Sequence, residues 1–158
     1  MAMHKLCMDD FDQESYTLLA VICRLEDYRM AYMFNKFLDV KFKKRSKNID
    51  FKSPFASYSL FEYENKSENV VWNLISNVYK TEEESEDEGL FFDLKSKIIN
   101  YRNLLPELNT VDFLVKINSE ARLINEKMIL NSIQQIPQVI TCYKVESDDI
   151  VSNENLIF

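Results

Sequence analysis

The chain has 158 residues, 46% of them hydrophobic and 13% aromatic, which suits one globular domain and excludes intrinsic disorder. Its formal net charge is −7, but Glu82, Glu83, Glu84, Glu86, Asp87 and Glu88 supply six of those negative charges, so the remainder is nearly neutral and an anionic partner is not excluded. Gly89 is the only glycine, which excludes the glycine-rich phosphate loops of P-loop and Rossmann proteins, where the backbone must approach a phosphate closely.

Further exclusions come from what is scarce. There is no run of eighteen apolar residues to cross a membrane as a helix, and residues 1–7 lack the apolar core of a signal peptide. The expectation is a cytoplasmic single domain over 1–158, with no membrane contact. Cys7, Cys23 and Cys142 are odd in number and far apart, so they read as free, buried thiols rather than a disulfide framework or a metal site.

Residues 16–23, Tyr-Thr-Leu-Leu-Ala-Val-Ile-Cys, form an apolar run of strand length. Glu26 and Asp27 place negative charge at a helix start, and Met30, Phe34, Phe37 and Leu38 then recur on one helical stripe. Val40 and Phe42 alternate with Lys41 and Lys43, predicting a half-buried strand, with strand character through Ile49 and Phe51. Two more strands are expected, one with Ala56, Tyr58 and Leu60 inward, the next with Val70, Trp72, Leu74 and Val78 inward and Asn73 and Asn77 outward. The polar link at 64–69 suits a hairpin. The acidic block at about 81–89 repels itself and reads as a mobile loop. Residues 90–103 carry no clear period; a short helix near 94–99 is the expectation. A strand follows through Val111, Phe113, Val115 and Ile117. A helix over about 121–136 comes next, ended by Pro137, and then a last strand through Val139, Thr141, Tyr143 and Val145. The tail, 146–158, is polar until Leu156-Ile157-Phe158, which is expected to dock on its own domain.

Two strand–helix–strand units on one mostly antiparallel sheet, with both main helices on one face, predict an α+β two-layer sandwich of ferredoxin-like or ACT-like pseudo-repeat type, extended by the hairpin between the units.

Candidate chemistry is sparse. Glu107 and Asp112 are the tempting acid–base pair, yet five extended residues span about 16 Å, beyond the roughly 5–10 Å a glycosidase pair needs. Odd spacing also sends the side chains to opposite faces. The structural expectation is that Pro106 fixes an extended entry, Glu107 pairs with a backbone donor or an arginine, and Asp112 sits on the polar sheet face with Lys116. His4 is the sole histidine, which argues against histidine-based triads and zinc sites. No catalytic residue, metal or cofactor is expected.

A basic stretch carries more weight. Lys41, Lys43, Lys44, Arg45, Lys47 and Lys52 fall close together, with Phe42, Phe51, Phe55, Tyr58, Phe61 and Tyr63 among or after them. On an open sheet, such cations and aromatics could grip and stack single-stranded RNA, or bind another anion. The competing reading puts the aromatics in the core and the lysines on a protected edge strand.

The segment Leu105-Pro106-Glu107, three residues, then Val111-Asp112-Phe113 resembles the signature of the bacterial IPExxxVDY family, with leucine for the leading isoleucine and phenylalanine for the final tyrosine, whose hydroxyl Phe113 lacks. Segments such as Leu25-Glu26-Asp27-Tyr28-Arg29, Ala31-Tyr32, Ser57-Tyr58-Ser59-Leu60-Phe61-Glu62, Trp72-Asn73-Leu74-Ile75-Ser76-Asn77, Gln135-Ile136-Pro137-Gln138 and Asn155-Leu156-Ile157-Phe158 extend the resemblance along the chain. It implies a bacterial, cytoplasmic protein and supplies no activity, ligand or site residue. The functional expectation is a non-enzymatic binding or interaction module using a sheet edge or the polar sheet face, with an unknown protein or a second copy as partner. The alternatives are RNA binding through 41–63, and a small hydrolase or transferase using Glu107 and Asp112.

Overall fold

A computed structural model describes residues 15–84, 97–120 and 124–158. The chain folds as an α+β protein around a six-stranded sheet in the order β10-β1-β9-β6-β5-β2, every neighbouring pair antiparallel. In chain order the elements of this sheet and its helices are β1 (Tyr16–Cys23), α1 (Asp27–Leu38), β2 (Lys43–Lys44), β5 (Leu60–Asn65), β6 (Val70–Ser76), β9 (Phe113–Ser119), α2 (Glu126–Gln134) and β10 (Val139–Val145). Two hairpins stand apart as their own two-stranded sheets: β3 (Ile49–Lys52) with β4 (Phe55–Tyr58), and β7 (Val78–Glu84) with β8 (Lys97–Asn103).

The central strands are apolar because both faces are covered. Leu19, Val21, Leu74, Val115 and Ile117 point to one side, where Met30, Ala31 and Phe34 of α1 and Ile129 and Ile133 of α2 pack on them. Leu18, Ala20, Ile75 and Leu114 point to the other side, where they meet Ile49, Ala56 and Tyr58 of the β3–β4 hairpin, Leu104, Leu105 and Val111, and Ile150 and Leu156 of the tail. Each Val, Leu, Ile, Phe or Met among these, fully buried, contributes about 1.5–3 kcal/mol. The predicted helices on one face are present. The second layer is not the last, however: the opposite face carries a cover of hairpin, turn and tail in place of an open surface.

Local chemistry sets the helix limits. Glu26 precedes α1 in an extended conformation, and Asp27 puts negative charge in its first turn. Asp39 ends it in the left-handed region at φ 55°, a position glycine usually takes, but none is available here. At α2, the Asn125 side chain accepts from the Met128 backbone N–H at 3.1 Å and caps the helix. The helix is therefore Glu126–Gln134, shorter than the expected 121–136, whose first three residues lie outside the described ones.

Three other expectations change. Val40 and Phe42 are buried as predicted, but only Lys43 and Lys44 pair as a strand. The acidic block does not begin as a loop: Glu82, Glu83 and Glu84 belong to β7, where Lys80 and Lys97 lie 3.6 and 3.7 Å from Glu82 and offset its charge, while Glu86, Asp87 and Glu88 lie outside the described residues. Residues 97–99, expected as helix, are strand β8, whose first six residues are exposed, so burial left no period to read; 94–96 lie outside the described residues.

Candidate functional site

The motif residues form a knot between strands. Leu105 precedes a 3-10 turn, Pro106–Leu108, and is itself extended (φ −112°, ψ 97°), as a residue before proline should be. Leu104, Leu105 and Val111 are buried in the cover side of the core, and Phe113 in the helix side, an apolar setting in which phenylalanine needs no hydroxyl partner.

At the centre of the knot is a residue that periodicity assigned to an outward face. Asn77, the link between β6 and β7, is fully buried. Its Nδ2 donates to the carbonyls of Leu108 and Val111, both at 2.9 Å, and its Oδ1 accepts from the Leu105 N–H at 2.9 Å. Its own backbone completes the set, with its N–H donating to the Asp112 carbonyl and its carbonyl accepting from the Leu104 N–H, both at 2.9 Å. A buried asparagine is tolerated because these partners satisfy it. The signal available in the sequence was an amide interrupting an apolar run next to Ser76, ahead of a turn-rich segment with backbone groups to satisfy.

Glu107 and Asp112 have separate structural tasks. Glu107 Oε1 accepts from the backbone N–H groups of Val151 and Ser152, both at 2.9 Å, and Oε2 from the Ser152 hydroxyl at 3.2 Å. Desolvation pushes its pKa up, but the hydrogen bonds from Ser152, its own backbone and Val151 outweigh that and hold it below the usual carboxylate value. This is the backbone-donor pairing that the sequence suggested. Asp112 is not on a polar face beside Lys116. Its Oδ2 accepts from the Cys23 N–H at 3.0 Å, at the end of β1, where the ladder to β10 shifts register and leaves that donor to a side chain. Burial raises its pKa, and the Cys23 bond opposes the rise without cancelling it.

Asp112 favours the fold less as pH rises. Its folded pKa lies above the unfolded one, so its contribution to stability is present below the unfolded value of about 3.9 and is lost as pH rises through the folded value. At neutral pH the ionised carboxyl is a small burden. Asp112→Asn keeps an oxygen for the Cys23 N–H, and is expected to leave neutral-pH stability unchanged or raised by less than about 1 kcal/mol, because water screens the half-exposed group. Urea unfolding at pH 7 and pH 4 should show any gain shrinking at the lower pH. A variant destabilised at pH 7 would contradict this account.

Lys116 lies on the cover side of β9. Its Nζ donates to the Leu156 carbonyl at 2.9 Å and stands 4.9 Å from the ring centres of both Tyr16 and Phe158. The tail thus docks on its own domain, as expected, through Leu156, while Ile157 remains exposed. Neither Cys23 nor Cys142 is activated. Burial, with the Asp112 charge adding to it against a backbone hydrogen bond to Leu25, pushes the Cys23 thiol up to about 11, and burial also raises Cys142. His4 and Cys7 lie outside the described residues. Among the described residues no group of three or more His, Cys, Asp or Glu side chains could hold a metal ion.

The basic stretch divides. Lys41, Lys43, Lys44 and Arg45 line one groove of about 410 Å³ at the β2 edge, together with Glu62, Tyr63 and Glu64. Lys47 and Lys52 are exposed but do not line it. Arg45 Nη1 meets Glu62 at 2.7 Å, and Lys44 Nζ donates to Asn48 Oδ1 at 3.0 Å and stands 5.0 Å from the Phe61 ring centre. The side chains of Lys41 and Lys43 make no hydrogen bond or ion pair among the described residues. The aromatics are used inside the fold. Phe42, Tyr58 and Phe61 are buried, Phe42 makes edge contacts with Phe34, Tyr63 and Trp72, and Tyr58 with Phe51 and Tyr79. Phe55 is exposed, though its ring meets Tyr79.

The two edges of the main sheet differ. At β2, the side chain of Asn35 from α1 satisfies the backbone of Phe42, accepting from its N–H at 2.7 Å and donating to its carbonyl at 3.3 Å. That edge is two residues long and is capped at Phe42. At the other end, β10 offers seven residues without proline, exposing Ile140 and Tyr143, with one lysine, Lys144, drawn to Glu126 at 3.1 Å.

No protein-family model, curated protein or solved structure matches the chain. No helix among the described residues is long and apolar enough to cross a membrane.

Proposed function

We propose that this chain is a non-enzymatic interaction module that docks through the open edge of β10, with a second copy of itself as the partner. The observation that carries the reading is the contrast between the edges. Unpaired N–H and C=O groups along a long edge strand are a template for another strand, and proteins that must avoid such pairing shorten the edge, charge it or cover it. β2 is two residues long, charged and capped at Phe42 by Asn35, whereas β10 is seven residues long with one lysine and one side-chain bond to its backbone, Gln134 Nε2 donating to the Ile140 carbonyl at 3.4 Å. An edge strand paired antiparallel with its own copy is self-complementary about a twofold axis, so one surface serves both partners. Exposed Ile140 and Tyr143 would lie within that joint.

Two finer assignments accompany it. The sheet core is a ferredoxin-like pseudo-repeat, supported by the order β10-β1-β9-β6 with α1 leading from β1 towards β6 and α2 joining β9 to β10; β5 and β2 extend it at one end. Membership of the IPExxxVDY family rests on the motif at 105–113, in which Leu105, Leu108 and Val111 bond to Asn77 and Glu107 holds the tail. The hydrolase reading loses ground because Glu107 and Asp112 are each engaged with backbone donors of different segments. The RNA reading retains its cations but not its stacking platform.

Sedimentation velocity over a range of protein concentrations tests the proposal. The wild-type chain is expected to dimerise, and Ile140→Lys with Tyr143→Lys, both at exposed positions, to give a folded monomer. A wild type that stays monomeric at the highest concentration, or a double variant that dimerises equally, overturns it.

A further inference from the structure

The groove at the β2 edge has a different use. We infer that it binds a short, carboxylate-rich peptide segment of a partner protein, a site separate from the β10 edge and independent of the dimer. Edge protection accounts for only part of its positive charge, because Asn35 already occupies the backbone groups of Phe42 that an invading strand would use. Four cations nevertheless converge on one concave surface of about 410 Å³. Arg45 and Lys44 have side-chain contacts within the fold, while the Lys41 and Lys43 side chains are exposed and make no hydrogen bond or ion pair among the described residues. These two are the groups that await an anion.

The rest of the lining selects the kind of anion. Glu62 and Glu64 share the groove with the cations. A phosphodiester backbone, negative at every step, would be repelled by them. An acidic peptide offers both signs: side-chain carboxylates for Lys41 and Lys43, and backbone N–H donors for the Glu62 and Glu64 oxygens. Stacking of bases would need free aromatic faces beside the cations, yet Phe42 and Phe61 are buried. Tyr63, half-buried in the lining, meets the Phe42 ring at 6.5 Å edge-on, which favours a fixed wall over a base-stacking platform.

Fluorescence anisotropy with a labelled hexaglutamate peptide tests the assignment, using the full chain at low and at near-physiological salt. The wild type is expected to bind saturably, more weakly as salt rises. Lys41→Glu with Lys43→Glu changes only exposed side chains and is expected to weaken binding by about tenfold or more, while Lys66→Glu, in the β5–β6 turn, leaves it unchanged. Circular dichroism confirms that the variants fold. Absence of saturable binding at low salt overturns the inference, as does an equal loss in the Lys66 control. Tighter binding of a labelled hexauridylate, lost in the same double variant, also overturns it and gives the groove to nucleic acid.

Discussion

Replacing Asn77 by alanine should destabilise the fold more than any other polar substitution discussed, by about 3–5 kcal/mol, from the loss of three hydrogen bonds in a fully buried site, each freed group counted in the lower half of the range of about 1–3 kcal/mol because neighbours relax into the space. Against a typical total of about 5–15 kcal/mol, that is a large share. At roughly 2–4 °C per kcal/mol for a chain of this size, the thermal midpoint should fall by about 6–20 °C. Asn77→Asp is the sharper probe. It keeps the shape and the acceptor for Leu105 N–H, but turns the donor that serves Leu108 and Val111 into an oxygen facing two carbonyls. Its folded pKa is therefore raised, and the stability that protonation restores is present at low pH and lost as pH rises through that value. Urea titration of both variants at pH 5 and pH 7.5 would show this. Aspartate no worse than wild type at pH 7.5 would mean that the knot does not depend on the amide.

The same residue shows where sequence patterning ran out. Alternation assumes one wet face and one dry face. Patterning located β1, β9 and α1 because most of their apolar residues fall on covered sides, and β10 although its Ile140 and Tyr143 are exposed. It misread β6, where Asn73 and Ile75 point away from the helices yet are buried, because β3–β4, the turn after β8 and the tail cover part of that face. It also missed β8, for the opposite reason: Ile98, Ile99 and Tyr101 are all exposed, so burial imposed no period, and the strand is defined only by pairing with β7. Of the groove, composition revealed the cations but not which would converge. Lys41, Lys43, Lys44 and Arg45 share a concavity only because β2 lies against β5 and brings Glu62, Tyr63 and Glu64 alongside. The motif pointed correctly to an extended entry, a local feature, and to the kind of partner Glu107 takes, but not to its place in the tail at Val151 and Ser152. The partner of Asp112 lies eighty-nine positions away at Cys23, a distance no local pattern spans.

Glu107→Ala should release the tail without unfolding the sheet. The carboxylate holds Val151 and Ser152 by two backbone N–H bonds at 2.9 Å and one hydroxyl bond at 3.2 Å. Hydrogen bonds to a charged acceptor contribute about 1.5–3 kcal/mol each when dry, but this side chain is only partly covered, so about 1–3 kcal/mol in total is expected. The tail has other anchors, namely Ile150 and Leu156 in the core, the Lys116 bond to the Leu156 carbonyl, and Asn155 donating to the Leu104 carbonyl at 2.8 Å. Loss of the Glu107 bonds should therefore appear first as faster amide exchange at Val151 and Ser152 and as earlier proteolytic trimming near them, with β1 and β9 still protected. The pH dependence has a definite sign. Because the folded pKa of Glu107 is lowered, its contribution is complete above the unfolded value of about 4.3 and is lost as pH falls through the folded value. Wild-type exchange at these two amides, corrected for the intrinsic rate, should approach that of Glu107→Ala only as pH falls below the ordinary carboxylate value, while Glu107→Gln, which retains an oxygen acceptor but no charge, should fall between the two at neutral pH. Identical protection of Val151 and Ser152 in the wild type and the alanine variant at pH 7 would show that the other anchors alone hold the tail, and that the motif glutamate has a task elsewhere.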